Sequence, residues 1–377
     1  MRRPPRRAPL SFLVQHPRMP TRRAPDLLAV PEHRLAAIKG LLEPLVPGRM
    51  VVVSTHINAD GDGCGSEAAL VRLLAGAGLR PRIVNPTPWP TAFEFLLESD
   101  VDNASPEGVA AIHGVDVLVV VDIGDVRRLG VLTDAVRALS VPKLVIDHHL
   151  AGDEPPGPII LSDPTACATG ELIFDIAITA KWPLTVPVAV ALYTALLTDT
   201  GGFRFSNTSP RCHAIAGHLL SLGVDPEEMY RRIYASVPLG RVHLLRDALD
   251  TLEVDPELGV AWLSLPAGAV ERYALRSEDL DGIVEHPRSI SGTRLAIFFR
   301  DLGHGKVKVS FRSTGDVDVN RFARQFGGGG HARAAGALIP GTLERVREQV
   351  LSAARSYLTS PAPTAAPVST PPKPRRR

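Results

Sequence analysis

The residues able to do chemistry fall in four short clusters. The first runs His56-Ile57-Asn58-Ala59-Asp60-Gly61-Asp62-Gly63, an imidazole and two carboxylates close together in sequence. Asp122 with Asp125 forms the second, Asp147-His148-His149 the third and Asp199 the fourth. Carboxylates gathered in such numbers repel one another, so as bare anions some would stay protonated or force the site apart. Divalent cations resolve that conflict. Mixed Asp and His donors suit manganese, magnesium or iron better than a structural zinc, which favours thiolates. Two such ions about 3.5–4 Å apart form a clamp for in-line displacement at phosphorus. A lone strand-end aspartate is ordinarily a turn or cap residue, and a lone His pair is commonly structural. Four such groups at successive element ends are not explained that way.

The elements that must carry these groups follow from the hydrophobic pattern. Residues 50–54 (MVVVS), 82–85, 115–122 (VDVLVVVD) and 143–147 (KLVID) read as strands. A polar, Gly-rich turn follows the first, and then a helix over 66–74. Residues 187–198 (PVAVALYTALLT) read as a buried helix stopped by Gly201-Gly202. Continuous apolar strands separated by helices predict an α/β fold with a parallel sheet covered on both faces. The carboxyl ends of such strands share one edge, where ligands bind. The four clusters therefore converge there.

After about residue 235 the pattern changes. Residues 239–252 read as an amphipathic helix linking two domains. Strands are expected at 260–265, 293–300 and 306–312, the last two joined by a hairpin-like turn. A helix at 319–326, four glycines and a helix at 342–356 complete a smaller α/β domain. The expected organisation is a basic extension over 1–28, a catalytic domain over 29–235, a linker helix over 236–250, a substrate-binding domain over 251–355 with a cleft between the two domains, and a basic Pro-rich tail over 356–377. Met19 is a second candidate start.

The glycines at 327–330 favour neither helix nor strand. They do let backbone N–H groups approach an anion, forming a nest. His331 follows at once, and Arg312 closes a strand beside Ser313. Arg312, Ser313, Gly328, Gly329, Gly330 and His331 are therefore expected to hold a phosphate or a terminal nucleotide. Arg294 and Arg300 read as structural. Phe203 and Phe205 are as suited to core packing as to stacking on a base.

The chain has 377 residues, 45% hydrophobic and 22% charged, and can bury a sizeable core. No apolar run is long enough to span a bilayer. Its formal charge of +2 hides an asymmetry: residues 1–25 and 356–377 carry basic side chains and no acids, so the stretch between them is acidic. An acidic body is a poor footprint for long nucleic acid and suits a protein that spends carboxylates on metal ions. Three scattered cysteines fit a reducing cytoplasm rather than a disulfide scaffold.

HINADGDGCGS, the strand ending in Asp122, the Asp147-His148-His149 triplet and Asp199 resemble the four motifs of the DHH phosphoesterase superfamily. Arg312-Ser313, Asp318-Val319-Asn320 and GGGGHARAAG resemble the DHH-associated C-terminal domain. Their order and spacing, over roughly residues 30–350, are similar to those of the bifunctional oligoribonuclease and 3′-phosphoadenosine 5′-phosphate (pAp) phosphatase group, the nano-RNases. The resemblance implies that His56 and Asp60 hold one ion and that Asp62, His148 and Asp199 hold the other, with Asp122 bridging. It implies that His149 faces the substrate phosphate and that Asp147 orients the pair. Ala59 departs from a frequent Pro and supplies no ligand. Two Mn²⁺ ions are implied, with Mg²⁺ or Co²⁺ as substitutes. Short RNA and pAp are the implied substrates, and a homodimer the family habit. Rival readings are a cyclic or linear dinucleotide phosphodiesterase, a RecJ-type exonuclease, an inorganic pyrophosphatase and a nucleotide sensor without catalysis.

Overall fold

The computed structural model describes residues 26–359 apart from Ala151 and Asp281. The expected basic extension before residue 26 and the tail after 359 lie outside the described residues. The chain divides into two compact units, one running to Ile233 and one from Tyr234.

In the first unit, β1 (Met50–Ser54), β2 (Arg80–Ile83), β3 (Val117–Val121), β4 (Lys143–Asp147) and β5 (Ile159–Ser162) pair in the order β2-β1-β3-β4-β5, every pair parallel. Alternate side chains point to opposite faces of a strand, and here both faces are covered. Val51, Val53, Val117, Val119 and Val121 enter one core. That core is completed by α1 (Glu32–Leu42), α2 (Gly61–Gly76) and three later helices. Val52, Leu118 and Val120 enter a second core, closed by turns of 3₁₀ helix and by α3 (Thr133–Ala138). The three later helices are α4 (Thr169–Ala180), α5 (Val186–Asp199) and α6 (Pro210–Ser221). α7 (Pro226–Tyr234) follows them. The strand order turns back at β1, which places the ligand-binding edge at the carboxyl ends of β1, β3 and β4.

The expected helix over 66–74 begins earlier, at Gly61. Asp60 caps it, accepting from the N–H groups of Asp62 and Gly63 at 3.1 Å each. A capping carboxylate offsets the helix cost of the glycines. Gly65 is needed for packing: a Cβ there would stand 2.5 Å from the carbonyl oxygen of Ala191 on α5. The stretch that reads as a polar turn is a close helix–helix contact.

The second unit opens with α8 (Leu239–Leu249). The sequence suggests a linker here, but Leu244 and Ala248 pack into the unit's own core with Leu263 and Leu265. A mixed sheet of order β10-β11-β9-β8-β7-β6 follows. Its strands are β6 (Glu253–Asp255), β7 (Val260–Leu265), β8 (Leu295–Asp301), β9 (Lys306–Ser313), β10 (Gly329–His331) and β11 (Ala334–Pro340). The short helices α9 (Ala269–Arg272) and α10 (Glu285–Arg288) lie with α8 against one face of β7 and β8. The other face is covered by α11 (Val319–Arg324) and α12 (Leu343–Thr359). α12 runs past the point where the sequence suggests a tail. The glycine run also departs from expectation: Gly329 and Gly330 pair with Gly336 and Ala335 as an edge strand. A Cβ at Gly328 would stand 2.1 Å from the carbonyl oxygen of Gly336, so close backbone approach explains that glycine.

Candidate metal centre

β1 ends at Ser54, and His56 follows two residues later, 5% exposed. Its Nδ1 lies 2.9 Å from the carbonyl oxygen of Ile57. A carbonyl only accepts, so Nδ1 carries the proton. Nε2 then faces Asp122 Oδ2 at 3.4 Å and Asp60 Oδ2 at 3.9 Å. β4 delivers His148 in the same manner. Its Nδ1 faces the carbonyl of Ala166 at 3.3 Å. Its Nε2 lies 3.6 Å from Asp62 Oδ2, 3.7 Å from Asp122 Oδ1 and 3.7 Å from Asp199 Oδ2.

Asp122 stands between the two sets. It terminates β3 with a backbone φ of +64°, a left-handed conformation that costs a non-glycine residue of order 1–3 kcal/mol. Its two oxygens are used separately, Oδ2 toward His56 and Oδ1 toward His148. Three groups of donors result, each with its donor atoms within 4.8 Å of one another: His56, Asp60 and Asp122; Asp62, His148 and Asp199; Asp122, His148 and His149. His148 Nε2 is buried and has no hydrogen-bond partner, as has Asp147 Oδ2. A buried imidazole nitrogen left unbonded among three carboxylate oxygens fits a divalent cation. The all-Asp/His donor set fits a hard or borderline ion.

Supporting contacts hold these donors in place. Asp62 accepts from the backbone N–H of Thr169 at 2.7 Å, from that of Gly170 at 3.1 Å and from Ser66 Oγ at 3.1 Å. The first two are open N–H groups of the first turn of α4, where the helix dipole also favours negative charge. Thr169 Oγ1 donates to Asp122 Oδ1 at 3.0 Å. Asn207 Nδ2 donates to Asp199 Oδ2 at 3.0 Å. Asp147 Oδ1 accepts from the backbone N–H of His149 and lies 2.8 Å from His149 Nδ1.

Protonation follows from this crowding. Burial pushes Asp62 well above the usual carboxylate range, and the charges of Asp122, Asp199 and Asp60 add to it. Burial opposes ionising Asp122 as well, but the hydrogen bond to His56 and the neighbouring histidines outweigh it, and its pKa falls. Burial likewise opposes protonating His56, and Asp122 and Asp60 overcome it, so that imidazole rises.

The structure brings together His56, Asp60, Asp62, Asp122, Asp147, His148, His149 and Asp199, all expected from the sequence. Asp125 is a correction: it caps the following turn and pairs with Arg127, whose Nε donates to it at 2.8 Å. Thr169, Gly170 and Asn207 were not legible. Thr169-Gly170 before an apolar helical run reads as an ordinary helix start.

In the second unit, Arg312 and Ser313 are neighbours on β9 and so face opposite ways. Arg312 is partly exposed, its Nε 3.3 Å from Glu285 Oε1. Ser313 is buried and donates to the carbonyl of Val317 at 2.6 Å. That corrects the expectation that both side chains meet one ligand. Gly329, Gly330 and the backbone of His331 form β10, and Gly328 precedes it.

Comparison with known proteins agrees with this arrangement. The profile of the DHH family, N-terminal domain, matches residues 50–196, and that of the DHHA1 domain matches residues 266–360. The bifunctional oligoribonuclease and PAP phosphatase NrnA of Thermus thermophilus is 32% identical over 317 residues, covering 82% of this chain and 90% of that protein. The protein of the same name from Bacillus subtilis is 28% identical over 294 residues, covering 77% of this chain and 89% of its own length. Among solved structures, an exopolyphosphatase-related protein from Bacteroides fragilis superposes with a TM-score of 0.80 at 27% identity, over 86% of this chain and 96% of that one. No helix among the described residues is long and apolar enough to cross a membrane.

Proposed function

Since the chain belongs to the DHH phosphoesterase family with a DHHA1 domain, we propose that it is a divalent-metal-dependent phosphoesterase that trims short oligoribonucleotides to mononucleotides and converts pAp to AMP. The observation that carries this reading is the unbonded His148 Nε2 among three carboxylates, with His56 set in the same way on the other side of Asp122.

On this reading His56, Asp60 and Asp122 would hold one ion, and Asp62, His148 and Asp199 the second, with Asp122 placed between the two sets. Manganese is the ion proposed, with Mg²⁺ or Co²⁺ as substitutes. When bound, the pair would neutralise charge on phosphoryl oxygens and make water a nucleophile at neutral pH. His149 is positioned by Asp147 and donates to the phosphoryl group, where negative charge accumulates during displacement. Asp147 fixes its tautomer, the usual work of a carboxylate behind a site histidine. Within the second unit, Arg312 and the 328–331 backbone would bind a phosphate of the substrate. Three free, buried cysteines accord with a reducing compartment.

The test is product release from RNA of two to four nucleotides and, in parallel, from pAp, with Mn²⁺, with EDTA and with Asp122→Ala. Mononucleotide and AMP, both abolished by EDTA and by the substitution, are the expected result. Activity on neither substrate would overturn the reading.

A further inference from the structure

One face of β9 is partly open, with Glu285 of α10 reaching Arg312 at one end. Val307, Val309, Phe311 and Ser313 are buried, while Lys306, Lys308, Ser310 and Arg312 point the other way and are exposed or partly so. The register with β8 sets Arg300 opposite Lys308 and Phe298 opposite Ser310. A shallow cleft of about 50 Å³, open to solvent, is lined by Lys308, Ser310 and Arg312 of β9, by Phe298 and Arg300 of β8, and by Ser277.

Like charges directly opposite each other on paired strands destabilise a sheet. A carboxylate between them would relieve the repulsion. Arg300 Nη1 instead donates to Ser277 Oγ at 3.2 Å. Among the described residues no carboxylate lies within ion-pairing distance of Arg300 or Lys308, and Glu285 is engaged by Arg288 and Arg312. Burial lowers the pKa of Arg300, and the charge of Glu271 opposes that. Two cations, two hydroxyls from Ser277 and Ser310, and an apolar floor at Phe298 are the complement of a phosphate ester.

We propose that Arg300 and Lys308 anchor a phosphate-binding site on this face of the second unit, taking a phosphate of a nucleotide or short oligonucleotide. The nucleotide identity rests on the phosphoesterase reading; the anion site does not. The sequence alone reads Arg300 as structural, because its pairing with Lys308 exists only in the folded register.

The experiment measures binding of a 3′-labelled tetraribonucleotide to the full chain in EDTA, by fluorescence anisotropy across a salt series. Wild type is compared with Arg300→Gln/Lys308→Gln and with Lys306→Gln, on the same strand face but outside the cleft. The double variant is expected to bind about tenfold more weakly, with a log–log salt slope shallower by about 0.7 for each phosphate left without its cation. Lys306→Gln should bind as wild type does. Equal affinity and slope in the double variant would overturn the site. If the double variant melts early, the single Lys308→Gln variant, whose side chain is exposed, carries the comparison. Inorganic pyrophosphate is the competitor that separates sources: if it binds in an Arg300-dependent manner and the RNA does not bind at all, the nucleotide assignment falls. Hydrolysis is assayed separately with Mn²⁺. An inactive wild type whose RNA binding still depends on Arg300 and Lys308 would sink the phosphoesterase reading and support this site. An active wild type with unchanged binding in the variant would sink this site alone.

Discussion

Thr169 does two jobs with one residue: its N–H holds Asp62 and its hydroxyl holds Asp122. Thr169→Val keeps the N–H and the volume and removes the hydroxyl. Removing a supporting hydrogen bond of this kind typically costs about 10–100-fold in metal affinity or activity. We expect a fall in that range in Mn²⁺-activated kcat, with little change in melting temperature; full activity in the variant would remove Thr169 from the site. The histidines and carboxylates were legible because their chemistry is written in their residue types. Thr169 was not, because a threonine at a helix start has a commonplace explanation. A second prediction concerns pH. Asp199 is pushed up to about 6, by burial first and then by Asp122 and Asp60, against the pull of His148. His56 and His149 are also raised, burial opposing and adjacent carboxylates prevailing. From about pH 4 to 6 the fold keeps a proton on Asp199 that the unfolded chain has lost, and above about 6.5 it keeps protons on the histidines. The folded state binds more protons throughout, so stability falls as pH rises through this window. In EDTA the melting temperature should drop between about pH 5 and 7.5, and saturating Mn²⁺ should remove the drop. A flat profile in EDTA would contradict the crowding argument.

α2 carries two of the expected ligands at its start and meets α5, which ends in a third, along a glycine-lined contact. Gly65→Ala would push a methyl to 2.5 Å from the Ala191 carbonyl and 2.8 Å from the Ala195 nitrogen, both backbone atoms. Overpacking of this kind costs about 1–3 kcal/mol. Urea denaturation should show a loss of that size, and activity should fall as α2 and α5 move apart. An unchanged midpoint would mean the helices can shift freely. In the first unit β1, β3 and β4 were legible because buried parallel strands are continuous apolar runs; β2, with two arginines and a proline, starts two residues before its expected place, and the short edge strand β5 was not expected. The start of α2 was hidden, since glycine propensity and a remote packing partner argue in opposite directions. β10 was hidden for the same reason: a glycine run has no pattern of its own, and its pairing with β11 is a tertiary fact.

Over the whole first unit, a buried charge network ties together segments distant in sequence. Arg34 of α1 donates to Asp163 at 2.6 Å and to Glu171 and Asp175 at 2.7 Å each; Arg211 of α6 donates to Glu171 and Asp175. Glu171 in turn accepts from the N–H of Cys167, in the loop whose Ala166 carbonyl meets His148. Removing one partner of a buried ionic network costs about 3–5 kcal/mol, because charges are left without compensation. Arg34→Met should lose about that much by denaturant titration; a loss below about 1 kcal/mol would mean the carboxylates find other partners or protons. No sequence pattern announces this network, since its members share no period or motif. The arrangement of the site has a further consequence in time. His56 and Asp199 stand on opposite sides of β3 and β4 in chain order, so one set of donors is synthesised long before the other is complete. At about 5–20 residues per second, the interval is on the order of ten seconds. A nascent chain therefore holds Asp62, Asp122 and His148 without Asp199, and on the proposed reading the second set of donors is complete only with the last helix turn of α5, ahead of α6 and α7.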